Sequence, residues 1–225
     1  MTIFALAVND EKSSKETQAL RVACLNYPDK YQIKYFRKSQ DVPKDFVPAG
    51  EIKWVESVLG KTVKPDYYPY WSEPIWNRKI GYCDKWPMIK DLFVKPADKH
   101  KRFRARITTG TYKGKKDGPL VWSTIVKFEP DEWRLYVSNG EVKYIGWYSE
   151  FEKEEVSLPP WFVKKIQELN CPSNYCGAVD VGIVDEKLTL VECNSPYSCG
   201  WYGTLNEGHI YADWLIEGWK YINEQ

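Results

Sequence analysis

The stretch AVDVGIVDEKLTLVECN, residues 178–194, has the pattern of two β-strands joined by a short polar turn. Side chains along a strand alternate between its two faces, so Glu192 and Asn194 project to the same side. With the turn centred on Glu186, Asp180 lies directly opposite Glu192. The pattern therefore predicts a hairpin on which two carboxylates and one carboxamide share a single face of a sheet.

The two carboxylates of this hairpin need a positive partner. At a separation of about 4 Å and an effective dielectric constant of about 20, two like charges repel by about 4 kcal/mol. Two anionic oxygen ligands and one neutral one suit Mg²⁺, whose other positions water and phosphate oxygens complete. Asp180, Glu192 and Asn194 are therefore a candidate metal site. The pattern also leaves open an exposed Asp180, or a Glu192 that pairs with a lysine.

Basic residues cluster well ahead of the hairpin. Lys95 ends the apolar run 92–95, where its ammonium group can leave the core and meet an anion. Further basic residues follow within one short segment, namely Lys99, Lys101, Arg102, Arg104 and Arg106. The three arginines are spaced to share one strand face. The segment is either a clamp over phosphate groups or an exposed sheet edge protected by charge.

A second candidate binding element lies at residues 125–132. The end of an apolar strand offers backbone donors and acceptors beside an apolar wall, which is what an adenine ring requires. The residues concerned are Ile125, Val126, Lys127 and Phe128. Glu132, after a polar turn, can accept hydrogen bonds from ribose hydroxyls. The same residues are also compatible with an ordinary pair of strands.

The composition excludes several classes of protein. The 32 Lys and Arg residues nearly balance the 31 Asp and Glu residues, so general binding to nucleic acid is not expected. Two His residues cannot form a His-rich zinc site. The six Cys residues form no CxxC pair, and neither a signal peptide nor an apolar run of about 20 residues is present. We expect a cytoplasmic protein with reduced thiols and no membrane span.

The order of predicted elements gives three parts. Residues 1–70 read as strand, helix, strand, helix, a small α/β unit whose first helix is capped near Ser13 and Ser14. Residues 71–124 form a small strand-rich part after the Pro- and aromatic-rich connector at 65–76. Residues 125–225 form the C-terminal part. Its predicted elements are strands at 133–137, 141–147, 177–184 and 188–194, and helices opening at Pro159 and near Ile210.

The strand candidates of the middle part are residues 92–95, 103–108 and 120–128. Asn139-Gly140 is a strong signal for a two-residue hairpin turn in the C-terminal part. The polar turn at 110–118 contains glycine and lysine and is predicted to be a mobile connection.

Three segments taken in order resemble the ATP-grasp superfamily of ATP-dependent carboxylate ligases. They are FVKP at 93–96, IVKFEPDEWRLYVSNGEV at 125–142, and the hairpin at 178–194. With PAGEIKWVESVLG at 48–60, the chain is also similar to small single-chain ATP-grasp proteins of bacteriophages and bacteria. The resemblance spans about residues 45–200. It implies an α+β fold in which an α/β-type N-terminal unit precedes two α+β subdomains, with largely antiparallel sheets, that grip ATP between them.

The resemblance also implies roles for individual residues. Lys95 would contact the nucleotide phosphates, residues 125–128 would form the adenine hinge, and Glu132 would bind ribose. The hairpin residues Asp180, Glu192 and Asn194 would hold one or two Mg²⁺ ions. Arg134 matches an arginine often found at its position and would face phosphate or the substrate carboxylate.

The chain departs from the family pattern at the lid. Many members carry a glycine-rich loop there, whereas residues 98–106 are charged and contain no glycine. Either Lys101 and Arg102 take over the phosphate contact, or the turn at 110–118 covers the site.

The activity implied is formation of an acyl phosphate and ADP from a carboxylate and ATP, followed by attack of an amine. Arg102, Ser195, Tyr197 and Trp201 would line the acceptor end, with a peptide or protein among the candidate substrates. The aromatic side chains after Asn194 are equally compatible with the core. Two other functions stay open: a catalytically silent ATP-binding module that interferes with a host process, and, more weakly, a binder of single-stranded nucleic acid.

Overall fold

The structure, a computed structural model, describes residues 1–8, 14–99, 102–111, 118–149, 156–197 and 199–224. The N-terminal elements are β1 (Thr2–Ala7), α1 (Lys15–Asn26), β2 (Tyr31–Phe36), β3 (Val47–Pro48) and α2 (Ile52–Leu59). The middle strands are β4 (Ile80–Cys83), β5 (Lys90–Pro96), β6 (Arg106–Thr109) and β7 (Leu120–Thr124). The C-terminal elements are β8 (Asp131–Ser138), β9 (Glu141–Ser149), α3 (Pro160–Gln167), β10 (Gly177–Val184), β11 (Lys187–Asn194) and α4 (Gly208–Asn223). Short 3₁₀ turns occupy Ser39–Asp41 and Tyr70–Ile75.

The N-terminal unit is a parallel sheet of order β2-β1-β3 with α1 as the crossover. Ser14 caps α1, since its side chain accepts a hydrogen bond from the backbone N–H of Thr17. Gly60 ends α2 in the left-handed region, with φ of 73°. These features confirm the predicted α/β unit. β3 escaped prediction because two residues carry no detectable period.

The middle sheet is antiparallel with order β4-β7-β5-β6. β7 ends at Thr124, so the predicted strand 120–128 was too long and residues 125–130 form the connection to the next sheet. The predicted strand 103–108 was also wrong at its start, because β6 begins at Arg106. Arg102 instead turns back to form an ion pair with Asp98, at 2.9 Å. The three arginines therefore do not share one strand face.

The C-terminal sheet is antiparallel with order β11-β10-β8-β9. Asn139 and Gly140 both have positive φ, as the predicted two-residue hairpin turn requires. Asp185 and Glu186 form a second two-residue turn with φ of 49° and 59°, where a turn centred on Glu186 was expected. A β-bulge next to Asp180 shifts the register by one residue, so Asp180 lies opposite Glu192 as predicted.

A single core cluster joins the N-terminal unit to the C-terminal sheet. Phe4 and Leu6 of β1 belong to the same buried cluster as Tyr136 of β8 and Trp214 of α4. Helices α1 and α4 approach closely, because a Cβ atom on Gly208 would lie 2.1 Å from a backbone oxygen of α1. The N-terminal unit is thereby held against the sheet that carries the candidate site.

The architecture confirms the predicted α+β class, with one parallel sheet and two antiparallel sheets. The helices that the structure describes include none with the length and apolar character needed to cross a membrane.

Candidate active site

The predicted site residues meet at a cavity of about 250 Å³. Lys95 contributes from the middle sheet, and Arg134, Glu192 and Asn194 contribute from the C-terminal sheet. The other lining residues come from the N-terminal unit and from three connecting segments: Ile52, Tyr67, Pro96, Phe103, Arg104, Ala105, Cys199 and Gly200. All three parts of the chain therefore contribute to one cavity.

Arg134 and Asp180 form a buried bidentate ion pair across neighbouring strands. Arg134 Nε and Nη2 donate to Asp180 Oδ1 and Oδ2, each at 2.7 Å. The two residues are direct partners in the register of β8 and β10. Asp180 is 2% exposed and Arg134 is 9% exposed, so solvent screens this pair little. Asp180 is therefore not exposed, which removes one of the open alternatives.

Lys95 forms the second ion pair of the site, with Glu192. Lys95 is buried, and its ammonium nitrogen lies 4.1 Å from the ring centroid of Tyr67 and 5.3 Å from that of Tyr68. The negative faces of these rings help to hold the buried charge. The alternative in which Glu192 pairs with a lysine thus describes the observed contact, and that lysine is the predicted phosphate contact itself.

Asn194 connects the two ion pairs. Its Nδ2 donates to Asp180 Oδ2 and to Glu192 Oε1, both at 3.1 Å. Three oxygen-bearing side chains therefore converge within hydrogen-bond distance, as the hairpin pattern predicted. The described residues include no group of three or more His, Cys, Asp or Glu side chains that could hold a metal ion. The possible ligands are two carboxylates and one amide.

This donor set fits Mg²⁺ only together with an anion. Hard oxygen ligands are what Mg²⁺ prefers, and a rotated Asn194 amide would present its oxygen in the same direction. However, Arg134 and Lys95 already balance the charges of Asp180 and Glu192. A bare cation would have to break both ion pairs, whereas phosphate oxygens can take over the two basic groups.

The ionisation of the site follows from burial and pairing. Burial raises the pKa of Asp180, an effect that the hydrogen bonds from Arg134 oppose. Burial also acts to raise the pKa of Glu192, but attraction by Lys95 outweighs it and the pKa is lowered. The pKa of Arg134 is raised because its contacts with Asp180 outweigh the cost of burying its charge.

The predicted ribose residue lies on the same sheet face as the ion pairs. Glu132 accepts a hydrogen bond from the hydroxyl of Tyr148 on β9. Tyr148 stacks on Tyr202 with ring centroids 4.5 Å apart and an interplanar angle of 15°. The Arg134 guanidinium lies 5.0 Å from the Tyr202 ring centroid. Neither tyrosine was singled out from the sequence, although Tyr148 follows from the alternation of β9.

The predicted adenine segment, residues 125–128, lies between the middle and C-terminal sheets. Phe128 packs against β10, where a Cβ atom on Gly182 would lie 2.8 Å from its ring. Ile125 is 47% exposed. Lys127 is also exposed, and Val126 and Phe128 are half-buried.

Arg78 is a further basic residue at this end of the site, and no sequence pattern indicated it. Its guanidinium lies 5.4 Å from the ring centroids of both Tyr68 and Phe128. Its Nη2 donates to the carbonyl oxygen of Val191 at 2.7 Å. Its buried Nε has no hydrogen-bond partner among the described residues. Arg78 lies in a connecting segment, where neither strand nor helix periodicity applies.

The segment after β11 is held by side chains from several elements. Tyr211 donates to the carbonyl oxygen of Cys199 at 3.0 Å, and Glu16 of α1 accepts from the backbone N–H of Trp201 at 2.9 Å. Trp201 is 1% exposed and Tyr197 is 4% exposed. The side chains of both predicted substrate residues thus belong to the core, which was the alternative interpretation of these aromatics.

The remaining predicted residues lie apart from the ion pairs. Ser195 lines a second cavity, which Asn194 also lines. Arg102 forms the ion pair with Asp98 and donates to the carbonyl oxygen of Pro119, while Arg104 lines the first cavity. Lys101 lies outside the described residues.

Comparisons with known proteins were made for sequence and for fold. No curated protein matches the sequence. Similar solved structures include D-alanine--D-alanine ligase from Bacillus anthracis, at 16% identity and a TM-score of 0.51, covering 100% of this chain and 99% of that chain. A RimK domain protein ATP-grasp from Sphaerobacter thermophilus has 13% identity and a TM-score of 0.54, covering 96% and 100%. Phosphoribosylamine--glycine ligase from Thermotoga maritima has 11% identity and a TM-score of 0.58, covering 98% and 75%.

At these identities the solved structures show a shared fold. The family comparison is more specific, because a family described as an ATP-grasp domain, the second family of its clade, matches residues 70–211. That range contains Lys95, Arg134 and the whole β10–β11 hairpin, and it covers well over half of the 225 residues. The chain therefore belongs to this family of ATP-grasp domains.

Proposed function

We propose that the protein is an ATP-dependent ligase that joins a carboxylate to an amine through an acyl phosphate, releasing ADP and phosphate. One observation carries the proposal: Asn194 links the Arg134–Asp180 and Lys95–Glu192 ion pairs at a cavity between two sheets. Two buried cations and two buried carboxylates that neutralise one another are a suitable resting state for a site that receives a magnesium nucleotide. The similarity to the ATP-grasp ligases named above supports the same reaction class.

Binding of ATP would exchange the partners of these ion pairs. Lys95 would leave Glu192 for the phosphates, and Arg134 would face phosphate or the substrate carboxylate. Asp180, Glu192 and Asn194 would then be free to hold Mg²⁺. When bound, Mg²⁺ supplies neutralisation of the phosphate charge that develops during transfer.

The nucleotide base and ribose would lie towards the connection between the middle and C-terminal sheets. Residues 125–128 would contact adenine, and Arg78 would add a planar cation beside Phe128. Glu132 would accept from the ribose hydroxyls once Tyr148 shares or releases it. This arrangement puts the transferred phosphate at the cavity that Lys95 and Arg134 line.

The chemistry is balanced without a covalent enzyme intermediate. A carboxylate oxygen of the substrate attacks the γ-phosphorus of ATP, the bond from that phosphorus to the bridging oxygen breaks, and ADP leaves. The amine nitrogen then attacks the acyl carbon, the acyl carbon–oxygen bond breaks, phosphate leaves, and the amine proton passes to solvent. The chain positions the reactants and neutralises their charge, as expected for a site built from lysine, arginine and carboxylates.

The setting proposed for this reaction is the cytoplasm. All six cysteines are free in the structure, which suits a reducing compartment.

The test is to incubate the protein with Mg-ATP and fractionated cell extract, and to search by mass spectrometry for a product formed from two components with loss of water. ADP release should depend on the active fraction and should be abolished in Asp180→Asn and Glu192→Gln. Glu141→Gln is the matched control, because Glu141 forms an exposed ion pair with Lys143 away from the site. Undiminished ADP release in both site variants would refute the assignment. Nucleotide binding without ADP release in any fraction would favour the silent binding module.

A further inference from the structure

A second cavity, of about 200 Å³, lies next to the ion pairs and is unexplained by them. Asn194 lines both cavities, and Ser195 lines the second. Its walls include three aromatic side chains from separate parts of the chain: Trp71, Tyr175 and Tyr221. The charged residues Lys64 and Asp66 also line it. The cavity is therefore aromatic inside and charged at one side.

The three rings form a connected group with inclined planes. Trp71 and Tyr175 have centroids 4.9 Å apart and an interplanar angle of 63°. Tyr175 and Tyr221 are 6.3 Å apart and inclined at 68°. Rings inclined in this way can present negative faces to one enclosed volume, which attracts an organic cation.

The basic side chains of the chain itself leave two of these rings uncovered. Near the active site the protein places its own cations over aromatic faces, as Lys95 does over Tyr67 and Arg134 over Tyr202. In the part of the chain that the structure describes, no lysine or arginine lies over the rings of Trp71 or Tyr175. Both rings therefore stay available to an external cation, and Asp66 adds a carboxylate at an exposed position.

One hydrogen-bond donor at this wall is also unused. Trp71 Nε1 is buried and has no partner among the residues described. A peptide carbonyl next to a basic side chain would supply the missing acceptor. The cavity thus combines a place for a cation with a donor for the peptide group that carries it.

We infer that this aromatic cavity binds the side-chain ammonium or guanidinium group of a substrate, so that the ligase acts on a molecule with a basic amino-acid residue. The assignment of that molecule as substrate rests on the proposed function, because the cavity meets the phosphate site at Asn194. Binding of the cation itself is independent of any reaction with ATP.

The experiment measures binding in the absence of ATP. Nα-acetyl-lysine amide and Nα-acetyl-arginine amide are titrated against the full chain, and the indole resonances of the tryptophans are followed by NMR. Nα-acetyl-norleucine amide is the neutral probe of similar shape, and Nα-acetyl-glutamate amide is the anionic probe. We expect a saturable shift of the Trp71 indole with at least one basic probe, and none with the other two.

Variants locate the site. Trp71→Leu should weaken binding of the basic probe about fivefold to tenfold, as expected for loss of one cation–π contact. Asp66→Asn changes an exposed residue that is not expected to affect folding, and should weaken binding about twofold to threefold. Lys64→Gln should bind the probe at least as tightly as the unaltered chain. Trp161→Leu, at a 39% exposed tryptophan of α3, is the control.

The outcomes separate this inference from the proposed function. Equal binding of norleucine amide, binding of glutamate amide that depends on Lys64, or no binding of either basic probe would each overturn it. Selective binding of a basic probe with no ADP release in any assay would uphold the cavity and count against the ligase. ADP release without binding of either basic probe would do the reverse.

Discussion

Arg134 binds both carboxylate oxygens of Asp180, with two nitrogen–oxygen distances of 2.7 Å, from the neighbouring strand of a buried sheet. This pair couples the fold to the site. A guanidinium and a carboxylate that are almost completely removed from solvent stabilise one another only while both are present. The same contact keeps the candidate metal ligand charged and oriented before any ligand arrives.

Removing one partner should therefore be costly. Arg134→Met leaves Asp180 buried without its cation, and we expect a loss of about 3–5 kcal/mol in the free energy of unfolding. Denaturant unfolding followed by circular dichroism measures it. The double variant Arg134→Met/Asp180→Leu should recover most of this loss, because no unpaired buried charge remains.

The control for this prediction is a solvent-exposed ion pair. Lys30 and Asp213 are 2.8 Å apart, but their side chains are 56% and 48% exposed. Lys30→Ala should therefore cost under about 1 kcal/mol. Similar losses in Arg134→Met and Lys30→Ala would contradict the importance given to burial.

The close contact of α1 and α4 gives a second prediction. A Cβ atom on Gly208 would lie 2.1 Å from the carbonyl oxygen of Ala19, which is backbone and cannot move aside cheaply. Gly208→Ala should destabilise the protein by about 1–3 kcal/mol through overpacking, measured as a shift of the denaturation midpoint. Glu217→Ala, at a partly exposed position on the same helix, should stay within about 0.5 kcal/mol. An unchanged midpoint for Gly208→Ala would mean that the helices can separate without cost.

Buried thiols give a prediction for alkaline pH. Burial raises the pKa of Cys176 to about 12 and that of Cys199 to about 12. Because the folded state holds these protons more tightly than the unfolded chain does, their contribution is complete below the unfolded pKa of about 8.5 and is lost as pH rises towards 12. Stability should therefore fall between about pH 9 and 12. The loss should be smaller in Cys176→Ala/Cys199→Ala, and an equal slope in this variant and in the unaltered chain would assign it to other groups.

Arg78 supplies a prediction about the nucleotide. If its guanidinium stacks beside the base, Arg78→Met should weaken ATP binding about tenfold or more, because a charged hydrogen bond and a cation–π contact are lost together. Arg21→Met is matched chemically, since Arg21 donates to Tyr35 and lies over its ring in the N-terminal sheet. Equilibrium dialysis with ATP measures both. Equal affinity in the two variants would remove Arg78 from the site.

The hairpin shows what could be predicted from the sequence. Alternation along β11 placed Glu192 and Asn194 on one face, and the pairing of Asp180 with Glu192 was right although the turn is shorter than expected. Two departures compensated one another: the two-residue turn moved the register by one, and the bulge beside Asp180 moved it back. Strand periodicity predicts faces well, but it does not reveal a bulge.

Other features could not be predicted because they depend on contacts between distant segments. Arg78 lies in a connection, and its position follows from packing against Tyr68, Phe128 and the edge of β11. Trp201 was predicted to line a binding surface, yet it fills the core between β8 and α4. The pairing of Lys95 with Glu192 joins residues 97 positions apart, a distance over which local patterns carry no information.

Calorimetric titration with Mg²⁺, ATP and Mg-ATP tests the exchange of ion-pair partners most directly. Mg²⁺ alone should give no saturable heat, because Arg134 and Lys95 already neutralise the carboxylates. Mg-ATP should bind measurably more tightly than ATP with a chelator, and Glu192→Gln should remove that difference. Saturable binding of Mg²⁺ alone, or an affinity for ATP that neither Mg²⁺ nor Glu192→Gln changes, would contradict the proposed site.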